Sequence, residues 1–152
     1  MKYEDVSWHN TADEYPKDLS ARAAGTHTGM FLAWALLSGL GSSMLAGDAA
    51  DLRTRKVTPG AFFCDQCDGK FTDEDLNEEG NAFAKAYFDP ESAHYLRDYD
   101  AMLCEGLQTA YHVPDTWANY DKLKPRLDRR LVEWRRGQLG KKPWWKFWDA
   151  LG

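Results

Sequence analysis

Cysteine is scarce in this sequence, and no long apolar run occurs. Three cysteines among 152 residues are an odd number, and the CxxC motif Cys64–Cys67 has no second pair to complete a structural zinc site. We therefore expect free, buried or partly buried thiols and no metal at this motif. The longest apolar stretch, residues 30–37, is far shorter than the roughly 20 residues of a membrane-spanning helix. We expect no membrane partner.

Sequence signatures of secretion and of common enzymes are missing as well. Residues 1–10 contain no basic segment followed by an apolar one, so we expect a cytoplasmic protein. The chain has no G-x-S-x-G, no glycine-rich phosphate loop and no H-E-x-x-H. A calcium loop aligned on Gly69 fails, because the thiol of Cys64 would occupy its first ligand position. These absences favour a protein that is not an enzyme and needs no cofactor.

Charge is distributed very unevenly along the chain. Residues 1–118 contain 20 acidic and 9 basic side chains, a net charge of −11, whereas residues 119–152 contain 4 acidic and 10 basic ones, a net charge of +6. Such a negative field repels phosphates, so we expect no nucleic-acid partner. It favours a basic protein surface instead. The alternative is a solvated acidic face that the basic C-terminal helix balances within the fold.

Apolar residues recur at spacings of three and four along much of the chain, which is typical of amphipathic helices. Hydrophobic residues make up 43% of the sequence, enough for a packed core. The prediction is an all-α fold, one compact domain of about six helices over residues 1–152. Residues 1–25 are predicted to form an extended arm, and a short N-terminal strand is the alternative.

Capping residues predict where several helices start. Thr58 followed by Pro59 is typical of an N-cap with proline in the first turn. Thr72 and Asp75 fit a capping box, and the acids around them would stabilise the first turn of a helix. Asp115 is the predicted cap of the last long helix, and we expect Pro125 to delay or kink that helix.

The C-terminal residues 138–152 combine cations with aromatic side chains. Such a segment can lie in a membrane interface or stack on single-stranded nucleic acid. It is short for an amphipathic anchor, and the rest of the chain is acidic. We therefore expect the tail to pack on the helical body as a lid, with cation–π contacts at its edges.

His9 and His27 are the candidates for chemistry. They lie among polar residues that include Asp13 and Glu14, and imidazole serves both as a general acid or base and as a metal ligand. One hypothesis is a small His-dependent or metal-dependent enzyme, in which both rings converge with a carboxylate or a metal. The alternative, under which we predict no metal site, is that each histidine is a hydrogen-bonded packing residue.

Several blocks of the sequence resemble a family of small uncharacterised bacterial cytoplasmic proteins. The blocks span residues 2–9, 26–34, 73–83 and 95–99, and they include Trp8, His9, Thr26, His27, Trp34 and Asn77. Relatives of this type resemble immunity proteins that accompany polymorphic or type VI secreted toxins. The resemblance therefore implies a protein that binds and neutralises a cognate toxin, and it implies no catalytic residues.

The acidic middle of the chain provides the predicted contact surface for such a toxin. Charge complementarity would speed the encounter, and desolvated Trp or Tyr side chains would supply most of the binding energy. The predicted partner-binding residues are Asp73, Glu74, Asp75, Glu78, Glu79, Asp98 and Asp100. A non-catalytic adaptor domain, whose charges only confer solubility, is the third hypothesis.

Overall fold

Helices make up most of the protein in the computed structural model, which describes residues 1–141. Within that range the α-helices are α1 (Ser7–Asn10), α2 (Thr26–Leu37), α3 (Ser43–Ala46), α4 (Ala50–Arg53), α5 (Pro59–Gln66), α6 (Glu78–Tyr87), α7 (His94–Leu103) and α8 (Trp117–Arg135). Strands β1 (Lys2–Asp5) and β2 (Lys70–Thr72) form a small sheet, and 3-10 turns cover Ala21–Gly25, Asp73–Asp75 and Ala110–His112. The expectation of a mainly helical protein is confirmed. The described helices outnumber the predicted six because α1, α3 and α4 are single turns of four residues.

The N-terminal residues fold onto the helices and do not form the predicted extended arm. Strand β1 pairs with β2 in antiparallel fashion, and the register shifts between Lys2 and Glu4, which marks a β-bulge that contains Tyr3. A bulge adds one residue to a strand and breaks the alternation of side chains between its faces. The bulge lets Tyr3 and Glu4 face the same side, and Tyr3, Glu4 and Asp5 are all buried. The alternative of a short N-terminal strand is the one confirmed.

Helix α2 lies at the centre of the core. Every residue from Thr26 to Leu36 is buried, as expected for a helix with apolar residues on all sides. The indole Nε1 of Trp34 donates a hydrogen bond to Asp128 Oδ1 at 2.8 Å, which ties α2 to α8. Among the described helices, none combines the length and the apolar character needed to cross a bilayer.

Helix α5 packs along α2 at close range. A Cβ atom at Gly29 would lie 2.6 Å from the carbonyl oxygen of Pro59, so the approach of the two backbones requires glycine at this position. The predicted start of α5 is confirmed, since Thr58 is the N-cap and Pro59 is the first helical residue. The Thr58 side chain accepts a hydrogen bond from the amide of Ala61.

Asp115 also serves the start of α5, and the prediction that it caps α8 is wrong. Its carboxylate accepts hydrogen bonds from the amides of Gly60, at 2.8 Å, and Ala61, at 3.2 Å. Thr116 caps α8 in its place, because its side chain accepts a hydrogen bond from the amide of Asn119. Asp115 therefore links the segment just before α8 to the first turn of α5, which is the part of α5 that approaches Gly29 of α2.

The predicted capping box of Thr72 and Asp75 is present, but it opens a 3-10 turn and not a helix. Asp75 Oδ2 accepts a hydrogen bond from the amide of Thr72 at 2.8 Å. Helix α6 begins after this turn, where Asn77 Oδ1 accepts a hydrogen bond from the amide of Gly80 at 2.8 Å. Asn77 also donates to the carbonyl oxygen of Gly39 at 3.0 Å, which joins the loop after α2 to the start of α6.

Helix α8 packs against the core through one of its faces. Its buried residues are Tyr120, Leu123, Leu127 and Leu131. Pro125 lies within the helix and does not delay its start at Trp117. Leu139, from the beginning of the predicted lid, packs against the core. The remaining lid residues, 142–152, lie outside the described part of the chain.

Candidate functional site

The structure brings His9 and His27 together around the carboxylate of Glu4. Glu4 Oε1 lies 3.0 Å from His9 Nε2, and Glu4 Oε2 lies 3.8 Å from His27 Nε2. The two imidazole rings meet edge to face, with 5.1 Å between their centroids. One ligand atom from each residue lies within 4.8 Å of the other two. We call these three residues the Glu–His–His cluster.

Each member of the cluster comes from a different element of the N-terminal fold. The β-bulge turns Glu4 of β1 inward beside Tyr3. Asp5 Oδ1 then accepts hydrogen bonds from the amide of Ser7, at 3.0 Å, and from its hydroxyl, at 2.7 Å, which fixes the turn into α1 and the position of His9. His27 is the second residue of α2 and points into the same space.

Burial differs among the three members. The side chains of Glu4 and His27 are 9% and 7% exposed, whereas that of His9 is 24% exposed. Burial raises the pKa of Glu4, but the nearby imidazoles of His27 and His9 lower it by more, so the pKa falls to about 2. Glu4 is therefore a carboxylate near neutral pH, and among the three residues His9 is the one that solvent reaches.

Three tyrosines surround the two imidazole rings. The hydroxyl of Tyr111 lies 2.6 Å from His9 Nδ1, and the hydroxyl of Tyr95 donates to the backbone carbonyl of His27 at 2.5 Å. The ring of Tyr99 packs against His27, with 6.2 Å between centroids. Within residues 1–141, the buried hydroxyl of Tyr99 has no hydrogen-bond partner. Tyr111 and Tyr99 thus contact the two rings, and Tyr95 fixes the backbone of His27.

One nitrogen in the cluster has unused bonding capacity. His9 Nε2 is buried and lies close to Glu4, yet it has no aligned hydrogen bond to any described residue. Two imidazole nitrogens and a carboxylate oxygen form a donor set that suits borderline divalent metals. The same groups can also exchange protons, with imidazole as general acid or base.

A surface pocket lies next to the cluster but does not open onto it. The pocket has a volume of about 370 Å³, and Thr26 and Tyr111 are among the residues that line it. Glu4, His9 and His27 do not line it. A small molecule in this pocket would therefore contact Tyr111 and would not touch the three clustered residues.

Three of the acids predicted to bind a partner lie in the 3-10 turn before α6 or in the first turn of α6, and their environments differ. Glu74 and Glu78 are exposed, and neither forms an ion pair with another residue of the range 1–141. Asp75 is partly buried, and the capping box uses its carboxylate. Glu74 and Glu78 are therefore the members of this group that a partner can reach without competition.

Two further predicted acids are accessible but already paired. The carboxylate of Asp73 lies 2.9 Å from the amino group of Met1, and that of Glu79 lies 2.5 Å from Arg135 Nη2. Both aspartate and glutamate side chains are 44% exposed, so a partner can compete for them. Exposed ion pairs of this kind are weak, typically below about 1 kcal/mol.

Asp98 does not lie on an exposed surface, and its predicted role in partner binding is not supported. It is 4% exposed. Its carboxylate accepts hydrogen bonds from Arg126 Nη1 at 2.7 Å, from Arg130 Nε at 2.8 Å and Nη2 at 2.9 Å, and from the Tyr87 hydroxyl at 2.7 Å. Burial raises the pKa of Asp98, but these donors lower it by more. We call these four residues the Asp–Arg cluster.

The position of Asp98 on α7 explains its burial. It shares one face of the helix with Tyr95 and Tyr99, which are fully buried. Positive charge of α8 thus meets an acid inside the protein, as the alternative of an internal charge balance predicts for this residue. Asp100 lies on the outer face of α7 and is exposed, as predicted.

The remaining residues of the family-like blocks are buried in the core or cap a helix, except for Trp8, which is exposed. Thr26 and Trp34 are buried in α2, and Asn77 caps α6. Trp8 is 54% exposed on α1, and Lys2 Nζ lies 5.9 Å from its ring centroid. Trp8 is therefore an exposed aromatic residue beside the Glu–His–His cluster.

Two residues of the cluster region were not predicted from sequence. Asp13 and Glu14, the carboxylates expected near the histidines, are exposed, and Glu4 takes that place. In a regular strand Glu4 would face away from Tyr3, so no pattern indicates its burial. Tyr111 lies 102 residues from His9 along the chain. The one available signal was the occurrence of Glu4 and His9 in the same family-like block.

Cys64 and Cys67 are free thiols in the structure, both partly buried. Burial, together with the nearby carboxylate of Asp75, raises the pKa of the Cys67 thiol to about 12. A thiol with a raised pKa is a poor nucleophile at neutral pH, because the thiolate is the reactive form. The CxxC motif therefore lacks the properties of a redox pair.

Fold and site together define a mainly helical protein with a buried Glu–His–His cluster in its N-terminal part. The chain belongs to the family described as Domain of unknown function (DUF7832), whose model matches residues 2–113. The matched segment contains the whole Glu–His–His cluster and Tyr111, and it ends before α8. No curated protein and no solved structure matches the chain.

Proposed function

We propose that the protein is an immunity-type protein that binds and neutralises a cognate bacterial toxin through an exposed acidic surface. The observation that supports this proposal is that exposed carboxylates and an exposed methionine lie on two chain segments in contact with each other. The residues are Met44, Asp48, Glu74 and Glu78, and we call them the acidic patch. Asp98 is buried and Asp100 lies on another helix, so neither belongs to it.

Backbone contacts bring the two segments of the acidic patch together. The amide of Ser42 donates to the carbonyl oxygen of Asp75 at 2.9 Å, and an isolated β-bridge joins the same segments one residue away. Helix α3, which carries Met44, therefore lies beside the 3-10 turn that carries Glu74. The capping box and the Asn77 cap hold this turn in one conformation, which lowers the entropy cost of binding.

The composition of the patch suits a basic protein partner. Met44 is 68% exposed, and methionine adapts its shape to an opposing apolar surface. The acids around it would attract a positively charged partner and disfavour an acidic one. Carboxylates that cover a basic active-site cleft would also block access to it, although binding beside that cleft is equally compatible with the patch.

The proposal is tested by reversing charge in the acidic patch. We expect that co-expression of this protein rescues cells from the toxin of the adjacent reading frame, and that the two proteins co-purify. The double variant Glu74→Lys/Glu78→Lys should bind the toxin at least about 10-fold more weakly, because it replaces attraction by repulsion. Isothermal titration calorimetry at low and high salt measures the change, and the difference should shrink as salt rises.

A matched control separates the patch from net charge. Asp13→Lys/Glu14→Lys changes the net charge by the same amount at two exposed residues outside the patch. This control should keep its affinity within about 3-fold, since long-range charge is screened at physiological salt. Equal losses in both double variants, or a full rescue by Glu74→Lys/Glu78→Lys, would contradict the acidic-patch model.

A second candidate function is a small enzyme that uses His9 and His27, for example to remove a modification that the toxin adds. The observation that favours it is the convergence of both imidazoles on the carboxylate of Glu4. The burial of Glu4 and His27 leaves His9 as the exposed member, so substrate access is narrow. A binding inhibitor acts on one toxin at a time, whereas an enzyme turns over. The amount of protein needed per toxin therefore separates the two candidates.

Toxin inhibition in a purified assay distinguishes them. An inhibitor that acts by binding needs about one molecule per toxin and should tolerate His9→Gln. An enzyme should protect at substoichiometric amounts, and His9→Gln should remove protection without weakening the complex. Full protection by His9→Gln at a one-to-one ratio would exclude the enzymatic candidate.

A further inference from the structure

We infer that the Glu–His–His cluster is a binding site for a divalent transition-metal ion, which would fasten the N-terminal strand and α1 to the central helix α2. The inference concerns Glu4, His9 and His27, and it does not depend on the proposed toxin binding. It holds whether or not the cluster also performs catalysis.

The ligand atoms have a suitable spacing. Zinc binds histidine nitrogen and carboxylate oxygen at about 2.0–2.2 Å, so neighbouring ligands of a tetrahedral ion lie about 3.4 Å apart. Each imidazole nitrogen has one Glu4 oxygen near this value, with Oε1 at 3.0 Å from His9 Nε2 and Oε2 at 3.8 Å from His27 Nε2. With one ligand atom taken from each residue, all three separations lie within 4.8 Å.

The charges around Glu4 support a cation at this place. Buried carboxylates are normally paired with a basic side chain or bound to a metal. In the described part of the chain, no lysine or arginine pairs with Glu4, and its contacts are the two imidazoles and the amide of Asp5. His9 Nε2 is buried without an aligned hydrogen bond to any residue of the range 1–141, so the neutral imidazole can offer its lone pair at Nε2 to an ion.

The contact of His9 with Tyr111 matches the usual support of a metal-binding histidine. Such a histidine binds the ion through one ring nitrogen and donates a hydrogen bond through the other, which fixes the tautomer and the ring orientation. His9 Nδ1 lies 2.6 Å from the Tyr111 hydroxyl, while Nε2 faces Glu4. Tyr111 is thus a positioning residue for His9.

The donor set also selects the class of ion. Imidazole nitrogen binds zinc, iron, cobalt and nickel well, whereas calcium and magnesium prefer ligand sets made of oxygen alone. We therefore expect zinc to bind and calcium and magnesium not to bind. Iron(II) is the second probe, because two histidines and one carboxylate also form the ligand set of many non-haem iron proteins.

The test is a titration of the full, untagged chain with zinc chloride after treatment with a chelator. Isothermal titration calorimetry should show one zinc ion per chain, and zinc should raise the thermal midpoint. His9→Gln should lower zinc affinity at least about 100-fold and abolish the thermal shift, and Tyr111→Phe should lower affinity about 10-fold. Since His9 is partly exposed, His9→Gln should keep the circular dichroism spectrum of the wild type.

Two matched controls locate the ion. His94→Gln removes a histidine outside the cluster, and Cys64→Ser/Cys67→Ser removes the CxxC thiols. Both variants should bind zinc like the wild type. A wild-type chain that binds neither zinc nor iron(II), a His9→Gln variant that binds zinc normally, or loss of binding in Cys64→Ser/Cys67→Ser would each overturn the inference.

Discussion

Two buried carboxylates, Glu4 and Asp98, each face two basic side chains, but the chemistry of those side chains differs. Arg126 and Arg130 hold Asp98 with three hydrogen bonds at 2.7–2.9 Å. A guanidinium has hydrogen-bond donors and no lone pair, so these arginines can bind the carboxylate but cannot coordinate a metal ion or accept a proton. The imidazoles around Glu4 keep nitrogen lone pairs, which a metal or a proton can use.

The two clusters also differ in what they connect. The Asp–Arg cluster joins α6 and α7 to α8, and both of its arginines lie beyond residue 113, where the family match ends. The Glu–His–His cluster joins β1, α1 and α2, all within the match. A charge network therefore anchors α8, while the carboxylate and imidazoles of the Glu–His–His cluster lie in the part that the family model covers.

The largest effect is expected in the Asp–Arg cluster. Asp98→Asn removes the charge that compensates two partly buried arginines, and we expect it to cost about 3–5 kcal/mol of unfolding free energy. Urea denaturation followed by circular dichroism measures this loss. Asp100→Asn, an exposed change on the same helix, should cost less than about 0.5 kcal/mol. Similar values for the two variants would show that the buried network is not stabilising.

The Glu–His–His cluster should show its contribution in acid. The pKa of Glu4 is about 2 in the folded protein, against an ordinary value of 4.5. Because the folded value is the lower one, the stabilisation is present above the ordinary value and is lost as pH falls towards the folded value. Between about pH 5 and pH 3 the wild type should lose about 2 kcal/mol through this group.

Glu4→Gln provides the comparison, since it has no carboxyl group to titrate at this position. Its unfolding free energy, measured in urea over the same pH range, should fall by about 2 kcal/mol less than that of the wild type. Parallel curves for the two proteins would mean that the histidines do not stabilise the Glu4 carboxylate.

The smallest effects are expected from removing a tyrosine hydroxyl beside each cluster. Tyr87→Phe deletes a buried hydrogen bond to the charged Asp98 and should cost about 1.5–2 kcal/mol. Tyr111→Phe deletes a contact with the partly exposed His9 and should cost less than about 1 kcal/mol in metal-free protein. Thermal unfolding of both variants measures the difference. A reversed order would place the more rigid network around Glu4.

Much of the local structure follows from short sequence patterns. Thr58 and Pro59 start α5 as predicted, because an N-cap and a proline at the first position act through neighbouring residues. The capping box of Thr72 and Asp75 also forms. It opens a 3-10 turn because Asn77 provides a separate cap for α6.

Predictions were wrong where contacts with a segment far away in the sequence determine the partners of a side chain. Asp115 turned out to bind amides of α5, since the chain before α8 passes the start of that helix. Asp98 is paired inside the protein because arginines 28 and 32 residues further along the chain reach it from α8. Charge counts along the sequence cannot distinguish such a paired acid from a solvated one.

The sequence by itself determined that the protein is mainly helical, where several helices start, and that His9 and His27 are candidates for chemistry. These features depend on periodicity, caps and residue type, which are local properties. Tertiary structure alone decided that the two rings meet, that Glu4 joins them through a β-bulge, and which acids face solvent. Burial and long-range pairing control these outcomes, and both arise only when segments far apart in the chain pack together.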